Sequence, residues 1–335
     1  MATLTQANLT LSEQMKQIGP GGNLLDIVNV MALYNEMDLD AVYQMANDQF
    51  ADVSSKVIKL PSIGTRRINR GVAGGVGRTA QHREFIEILE ARPYIDTLLL
   101  KAQPDGGMQA RLNQIKMFIE AMAQAKADHL LYGSNATDPE MIDGFLTRLN
   151  DSSLTNVTKM GGSGTDTTSM LLVQWDPARC CLIYPKAIPN TGSGSTQAMG
   201  ISERDRGEQR ITDDDGNAFD ALESVIQSAF GIRLLDDRNV ARLVNIESSG
   251  VDNTMFATDK MNSLVRAVNS LTSKGRNSAI YCNVDVKTQF DIFGMKNLGG
   301  VTVSKDTFGQ PVTMFQNRIP IRLMESMSST ETALA

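Results

Sequence analysis

The chain has 335 residues, a formal net charge of −6 and 41% hydrophobic residues, enough apolar material for a packed core and too much for a disordered polymer. No run nears the roughly 18 apolar residues that a membrane span needs. The overall acidity works against general attraction to nucleic acid. The three cysteines, Cys180, Cys181 and Cys282, form neither a CxxC pair nor a disulfide framework, which fits a reducing compartment and argues against structural zinc.

The opening MATLTQANLTLSEQ lacks the basic stretch and apolar core of a secretion signal. Residues 1–52 carry seven acids (Glu13, Asp26, Glu36, Asp38, Asp40, Asp48, Asp52) against one base, Lys16. Gly19-Pro20-Gly21-Gly22 breaks any helix, so the first residues read as an extended arm. After them, NLLDIVNVMALYNEMDLDAVYQMA has apolar residues at helical spacing and predicts two short helices.

Residues 53–83 invert the charge. They hold Lys56, Lys59, Arg66, Arg67, Arg70, Arg78 and Arg83 and no acid. SSKVIKLPSIGTRRINR alternates in part like a strand, with Pro61 marking an edge or bend. GVAGGVG, with Gly71, Gly74, Gly75 and Gly77, reads as a tip whose glycines supply unusual backbone angles, and AQHREFIEILEA as the returning limb. The whole is expected to be a long two-limbed loop. Its charge complements the acidic arm, as a contact between subunits or within one chain.

GMQARLNQIKMFIEAMAQAKADHLLY (107–132) is the strongest helix signal. Leu112, Ile115, Ile119, Met122 and Lys126 recur at spacings of three or four, and Gly133 is expected as its C-cap. At 1.5 Å per residue it is a rod of about 40 Å, suited to back a sheet. SMLLVQWDPARCCLIYP predicts two strands joined at Asp176-Pro177, with Trp175 as packing or turn anchor. RITDDDGNAFDAL predicts a hairpin at Asp215-Gly216. Strands in SVIQSAFGIRLLD and NVARLVNIE, a helix in TDKMNSLVRAVNSL, a buried strand in SAIYCNVDV, a helix from KTQFDIFGM and closing strands in VTMFQ and IPIRLMESM complete the chain.

No catalytic, metal or cofactor constellation emerges. Aligning Gly77-Arg78-Thr79 on a phosphate-binding GxxxxGK[ST] loop puts Val72 at the first glycine and arginine in place of lysine, and GxGxxG fails at Ala80. A nucleic-acid patch would want a stacking aromatic, and none lies between Phe50 and Phe85. DDDG evokes a calcium loop, but Ile211 and Leu222 occupy its first and twelfth positions. His82 and His129 have no evident nucleophile beside them, and the cysteines read as core residues.

The ordered set of pieces resembles the major capsid proteins of tailed double-stranded-DNA bacteriophages. FGIRLLDDRNVARLVNIE (230–247), AIYCNVDVKTQFDIF (279–293) and GQPVTMFQNRIPIRLMESM (309–327) are similar to that family's consecutive strands, buried strand before a helix, and closing Ile-Pro-Ile strands, with epsilon15-like podoviruses nearest. The resemblance implies an α+β capsid fold. Residues 1–50 would be the N-terminal arm and 51–95 the extended loop with its tip at 71–79. Residues 96–134, 206–249 and 306–335 would form a peripheral domain on the spine helix, and 135–205 and 250–305 an axial domain.

It further implies hexamers and pentamers closing into an icosahedral virion shell, assembled in the host cytoplasm around double-stranded DNA held non-specifically. A separate scaffolding protein, a portal and a small decoration protein are the expected partners, without cofactor, membrane or enzymatic activity. The seven loop cations would contact a neighbour's acidic arm or helix, with Asp26, Glu36, Asp38 and Asp40 as arm acids. An encapsulin-like compartment shell shares that fold, and a nucleotide-binding enzyme using the glycine loop is the alternative of another class.

Overall fold

The computed structural model describes residues 33, 35–101, 107–186, 201–212, 216–247, 258–295, 301–305, 311–316 and 318–334. The arm is described from a short helix α1 (Met37–Asp40) and strand β1 (Tyr43–Met45). The other helix expected there, and Asp26, lie outside the described residues. Strands β2 (Ala51–Lys59) and β3 (Arg78–Phe85) form a separate two-stranded antiparallel ribbon.

The expected return limb divides. β4 (Glu87–Ala91) and β5 (Tyr94–Asp96) leave the ribbon and pair with β10 (Ala218–Leu234), so the free loop ends at Phe85 rather than near 95. A short helix α2 (Thr97–Lys101) precedes the long helix α3 (Met108–Tyr132). Ile115 and Met122 bury against Ile226 of β10, with Ile119 partly buried beside them, whereas Leu112 turns outward and is 46% exposed. Gly133 is the C-cap as expected, its amide donating to the His129 carbonyl at 3.0 Å, but with φ −49 rather than a left-handed backbone. It is glycine because a Cβ there would lie 2.5 Å from the carbonyl oxygens of both His129 and Ile142.

Two sheets carry the body. The six-stranded sheet runs β1–β8–β10–β4, with β5 and β9 also on β10; β8 is Cys180–Tyr184 and β9 is Ile201–Thr212. β9 and β10 form the expected hairpin, Thr212 facing Ala218; Asp213, Asp214 and Asp215 lie outside the described residues.

The seven-stranded sheet has the order β13–β14–β15–β12–β7–β11–β6. Its strands are β6 (Val157–Lys159), β7 (Thr167–Gln174), β11 (Val240–Glu247), β12 (Ser278–Cys282), β13 (Val301–Lys305), β14 (Pro311–Phe315) and β15 (Ile319–Leu323). β7 is buried along its whole length: Met170–Val173 are its apolar run, and Thr167, Thr168, Ser169 and Gln174 are buried with hydrogen-bond partners.

This topology regroups two expected divisions. β7 and β8 flank the Asp176-Pro177 turn but do not pair, because each enters a different sheet. β11, β14 and β15, expected with the peripheral segments, share a sheet with β6, β7, β12 and β13, expected as axial.

One core joins the sheets to α3 and to α4 (Phe145–Arg148). Trp175 lies within it, 3% exposed, meeting Phe145 edge-on at 6.1 Å and donating from Nε1 to the Tyr281 hydroxyl at 2.8 Å. The other face of the seven-stranded sheet is covered by α5 (Thr258–Ser270) and α6 (Val284–Met295), through Leu264, Val268, Val286 and Phe290. Asn283 caps α6, its Oδ1 accepting the Val286 amide at 3.0 Å. No described helix is long and apolar enough to cross a membrane.

Candidate assembly surface

The ribbon continues past its ladder. A Cβ on Gly75 would lie 2.7 Å from the Ser62 carbonyl oxygen, one on Gly77 3.5 Å from Pro61, and one on Gly64 3.0 Å from Val72. The two limbs therefore run side by side to a turn in which the Arg70 amide donates to the Arg67 carbonyl at 3.2 Å. The apex is Arg67–Arg70, not the glycine stretch, and its left-handed residue is Asn69 at φ 60. None of Gly71, Gly74, Gly75 and Gly77 has a positive φ. Gly75 serves close limb approach, while Gly71 and Gly74 have open space around them.

The arginines sit at and around this apex. Lys56, Lys59, Arg66, Arg67, Arg70 and Arg78 make no ion pair among the described residues; Arg83, at the root, lies 3.6 Å from Asp48 and over the Phe85 ring. Between them the loop exposes Val57, Ile58, Leu60, Ile63, Ile68, Val72 and Val76, with Ile63 at 95% and Ile68 at 93%. Among the described residues, neither these charges nor this apolar surface finds a partner.

The root is the opposite. Asp52 is 2% exposed, and the Arg233 guanidinium of β10 lies 3.0 Å from it through Nε, off the hydrogen-bonding line and so paired by charge. Arg233 also donates to Gln44 Oε1 at 3.0 Å and Ser54 Oγ at 3.2 Å. Glu84 of β3 takes both terminal nitrogens of Arg148, and His82 Nε2 lies 2.7 Å from it. Burial alone would lower the Arg148 pKa, but the hydrogen bond and charge of Glu84 outweigh it and the pKa is raised. Glu87 of β4 pairs with His129 on α3 and accepts the Ile142 amide at 3.1 Å. These root pairs were not legible in the sequence, since their members lie up to about 180 residues apart.

The arm acids do not wait for a neighbour's loop. Asp40 holds Arg322 of β15 at 2.7 and 2.8 Å. Asp38 takes Lys126 Nζ at 3.0 Å and the Tyr43 hydroxyl at 2.6 Å, while Lys126 also lies over the rings of Tyr43 and Phe230. Glu36 exchanges bonds with Leu323, donating its amide at 3.0 Å and accepting the Leu323 amide on Oε2 at 2.6 Å. Within the subunit these acids do not meet the basic loop: Asp38 and Asp40 pair with Lys126 and Arg322, and Glu36 with a backbone amide. A segment of about ten residues thereby ties both sheets and α3 together.

Gly77 leads into strand β3 rather than a helix, so the loop lacks the helix N-terminus on which a nucleotide phosphate would rest. Among the described residues no three His, Cys, Asp or Glu side chains gather as metal ligands.

A family model described as major capsid protein GP7 matches residues 19–335. No curated protein sequence matches. Among solved structures, bacteriophage epsilon15, determined by cryo-EM, is 19% identical with a TM-score of 0.70, covering 100% of this chain and 99% of that one. The bacteriophage JBD30 capsid is 9% identical (TM-score 0.49, 89% and 93% covered). The holo-SrpI encapsulin complex of Synechococcus elongatus is 11% identical (TM-score 0.47, 71% and 96% covered). The epsilon15 likeness carries the expected α+β capsid fold, and the family match decides between phage capsid and compartment shell. The chain belongs to the major capsid protein GP7 family, the shell-forming proteins of the bacteriophage virion.

Proposed function

We propose that the chain self-assembles as hexamers and pentamers into an icosahedral shell around double-stranded DNA, as a non-enzymatic building block, and that the 56–78 part of the loop fastens one subunit to the next. The observation that carries this reading is the contrast within the loop. Its root is pinned by buried charge pairs, while six cations and seven exposed aliphatic side chains beyond the root find no partner among the described residues. Apolar anchors flanked by charge are what a protein interface requires. Its acceptor on the second copy is a surface offering both apolar and acidic groups.

The same reading takes the six-stranded sheet with α3 as the peripheral domain and the seven-stranded sheet with α5 and α6 as the axial domain. A scaffolding protein, a portal and a small decoration protein are its proposed partners.

Negative-stain electron microscopy of the expressed chain, alone and with its candidate scaffold, tests the assembly. Closed shells or capsomers are expected from the native chain. Arg66→Glu with Arg67→Glu should stop particle formation while leaving circular dichroism and thermal unfolding unchanged. Normal shells from that double variant would remove the loop from the interface, and a persistent monomer from the native chain would remove the assembly itself.

A further inference from the structure

A second cationic surface lies away from the loop, where two turns meet at one end of the seven-stranded sheet. The first turn, Ser273 to Asn277, connects α5 to β12. Three of its residues are left-handed: Lys274 at φ 54, Gly275 at φ 82 and Asn277 at φ 49. The second turn, joining β14 to β15, has Gln316 at φ 52. A Cβ on Gly275 would lie 3.5 Å from Arg318 Nη2, so the Arg318 guanidinium rests against the first turn. Lys274, Arg276 and Arg318 are all exposed and make no ion pair among the described residues.

The strained turn is held from below by buried polar groups. Gln174 is 2% exposed; its Nε2 donates to Ser273 Oγ and its Oε1 accepts the Ser273 amide, both at 2.9 Å. Thr272 donates its hydroxyl to Asn239 Oδ1 at 2.8 Å and its amide to the Arg238 carbonyl at 3.2 Å. The Trp175 amide donates to the Asn277 carbonyl at 2.9 Å, and Lys274 Nζ to the Asn269 carbonyl at 2.7 Å. The nearby carboxylate of Asp236 is taken by Arg238 at 2.9 and 2.8 Å and does not reach the turn's cations. The result is a rigid pair of turns presenting positive charge in a chain whose net charge is −6.

The composition of this surface differs from that of the loop. Ser273, Lys274, Gly275, Arg276 and Asn277 include no apolar side chain, whereas the loop alternates cations with exposed aliphatics. Protein interfaces are built on apolar and aromatic anchors. Phosphate contacts come from Arg, Lys, Ser, Asn and backbone amides, and need no apolar core. We infer that the Ser273–Asn277 turn with Arg318 is a phosphate-contact surface that takes the sugar-phosphate backbone of nucleic acid without reading its sequence. The inference draws on the capsid reading for the availability of that polymer, and not for the geometry.

The test is binding of a labelled mixed-sequence DNA duplex to the unassembled full-length protein across a salt series, by fluorescence anisotropy. Arg276→Gln with Arg318→Gln is compared with Arg66→Gln with Arg67→Gln. Lys274 is left in place because it also closes the α5 C-terminus. Each lost phosphate contact flattens the plot of log affinity against log salt by about 0.9, so the turn variant should lose about 1.8 and the loop variant nothing. Equal slopes for native and turn-variant protein, or no binding by the native protein at low salt, overturns the proposal. A turn variant that binds DNA normally yet fails to form particles would make this a protein contact instead. Shell formation by the native chain is read in parallel: its failure with an intact slope change would sink the capsid assembly and leave the phosphate surface standing.

Discussion

Arg148 on α4 grips Glu84 on β3 through both terminal guanidinium nitrogens, at 2.6 and 2.7 Å, and so joins the root of the projecting ribbon to the centre of the fold. Glu84 is 7% exposed, and its carboxylate oxygens are met by that partner and by His82. Removing one member of a buried pair strands the other, whereas removing both can be close to neutral. Arg148→Met should therefore destabilise the unassembled subunit by about 3 kcal/mol in urea unfolding. Arg148→Met with Glu84→Met should be the more stable of the two. A double variant as unstable as the single one would mean that the cost is lost packing rather than a stranded charge.

Ile63 and Ile68 are solvated in the free subunit, so polar substitution should cost little there and much in the shell. Ile63→Ser with Ile68→Ser should leave subunit stability within about 0.5 kcal/mol. Particle yield in sedimentation should fall by more than tenfold, since apolar anchors dominate interface energy. Unchanged yield would show that these side chains face solvent in the shell as well.

The three cysteines are buried, and burial pushes every thiol up: Cys181 to about 11, Cys180 and Cys282 further. The reactive thiolate is therefore scarce at pH 8. A thiol reagent should label none of the three in the native protein and all of them in denaturant. Rapid labelling of one thiol in the folded subunit would reveal local opening around β8 or β12.

Asp205 accepts from Arg111 at 2.7 Å, a bond that, with the Gly207 amide, holds its carboxyl below the ordinary aspartate range. Asp236, on Arg238, and Glu90, on Gln227 and Arg92, are shifted the same way. A depressed folded pKa gives stability that is fully present above the unfolded value near 4 and lost as pH falls through the folded one. The Asp205 side chain is about half exposed, so solvent screening limits its share to under about 1 kcal/mol. These groups leave stability flat between pH 7 and 5 and lower it below about pH 4. Asp205→Asn should shrink the acid-side loss in urea titrations at pH 7, 5 and 3.5, and an unchanged loss would mean that the Arg111 contact does not persist in solution.

What the sequence determined by itself is what local pattern and charge can carry. The periodicity of 107–132, the short apolar runs at β7 and β12, and the run of seven cations without an acid marked the spine helix, the buried strands and the loop, because each depends on neighbours within a few turns of chain. Tertiary structure alone decided the rest. Whether β7 and β8 pair, which sheet receives β11, and whether Asp38 and Asp40 meet the basic loop or Lys126 and Arg322 depend on contacts between segments far apart in the chain, and a charge pattern names no partner. The glycines show the same limit: their density was plain, but the need for them at Gly75 is the nearness of Ser62 on the opposite limb, a distance that exists only once the ribbon has formed.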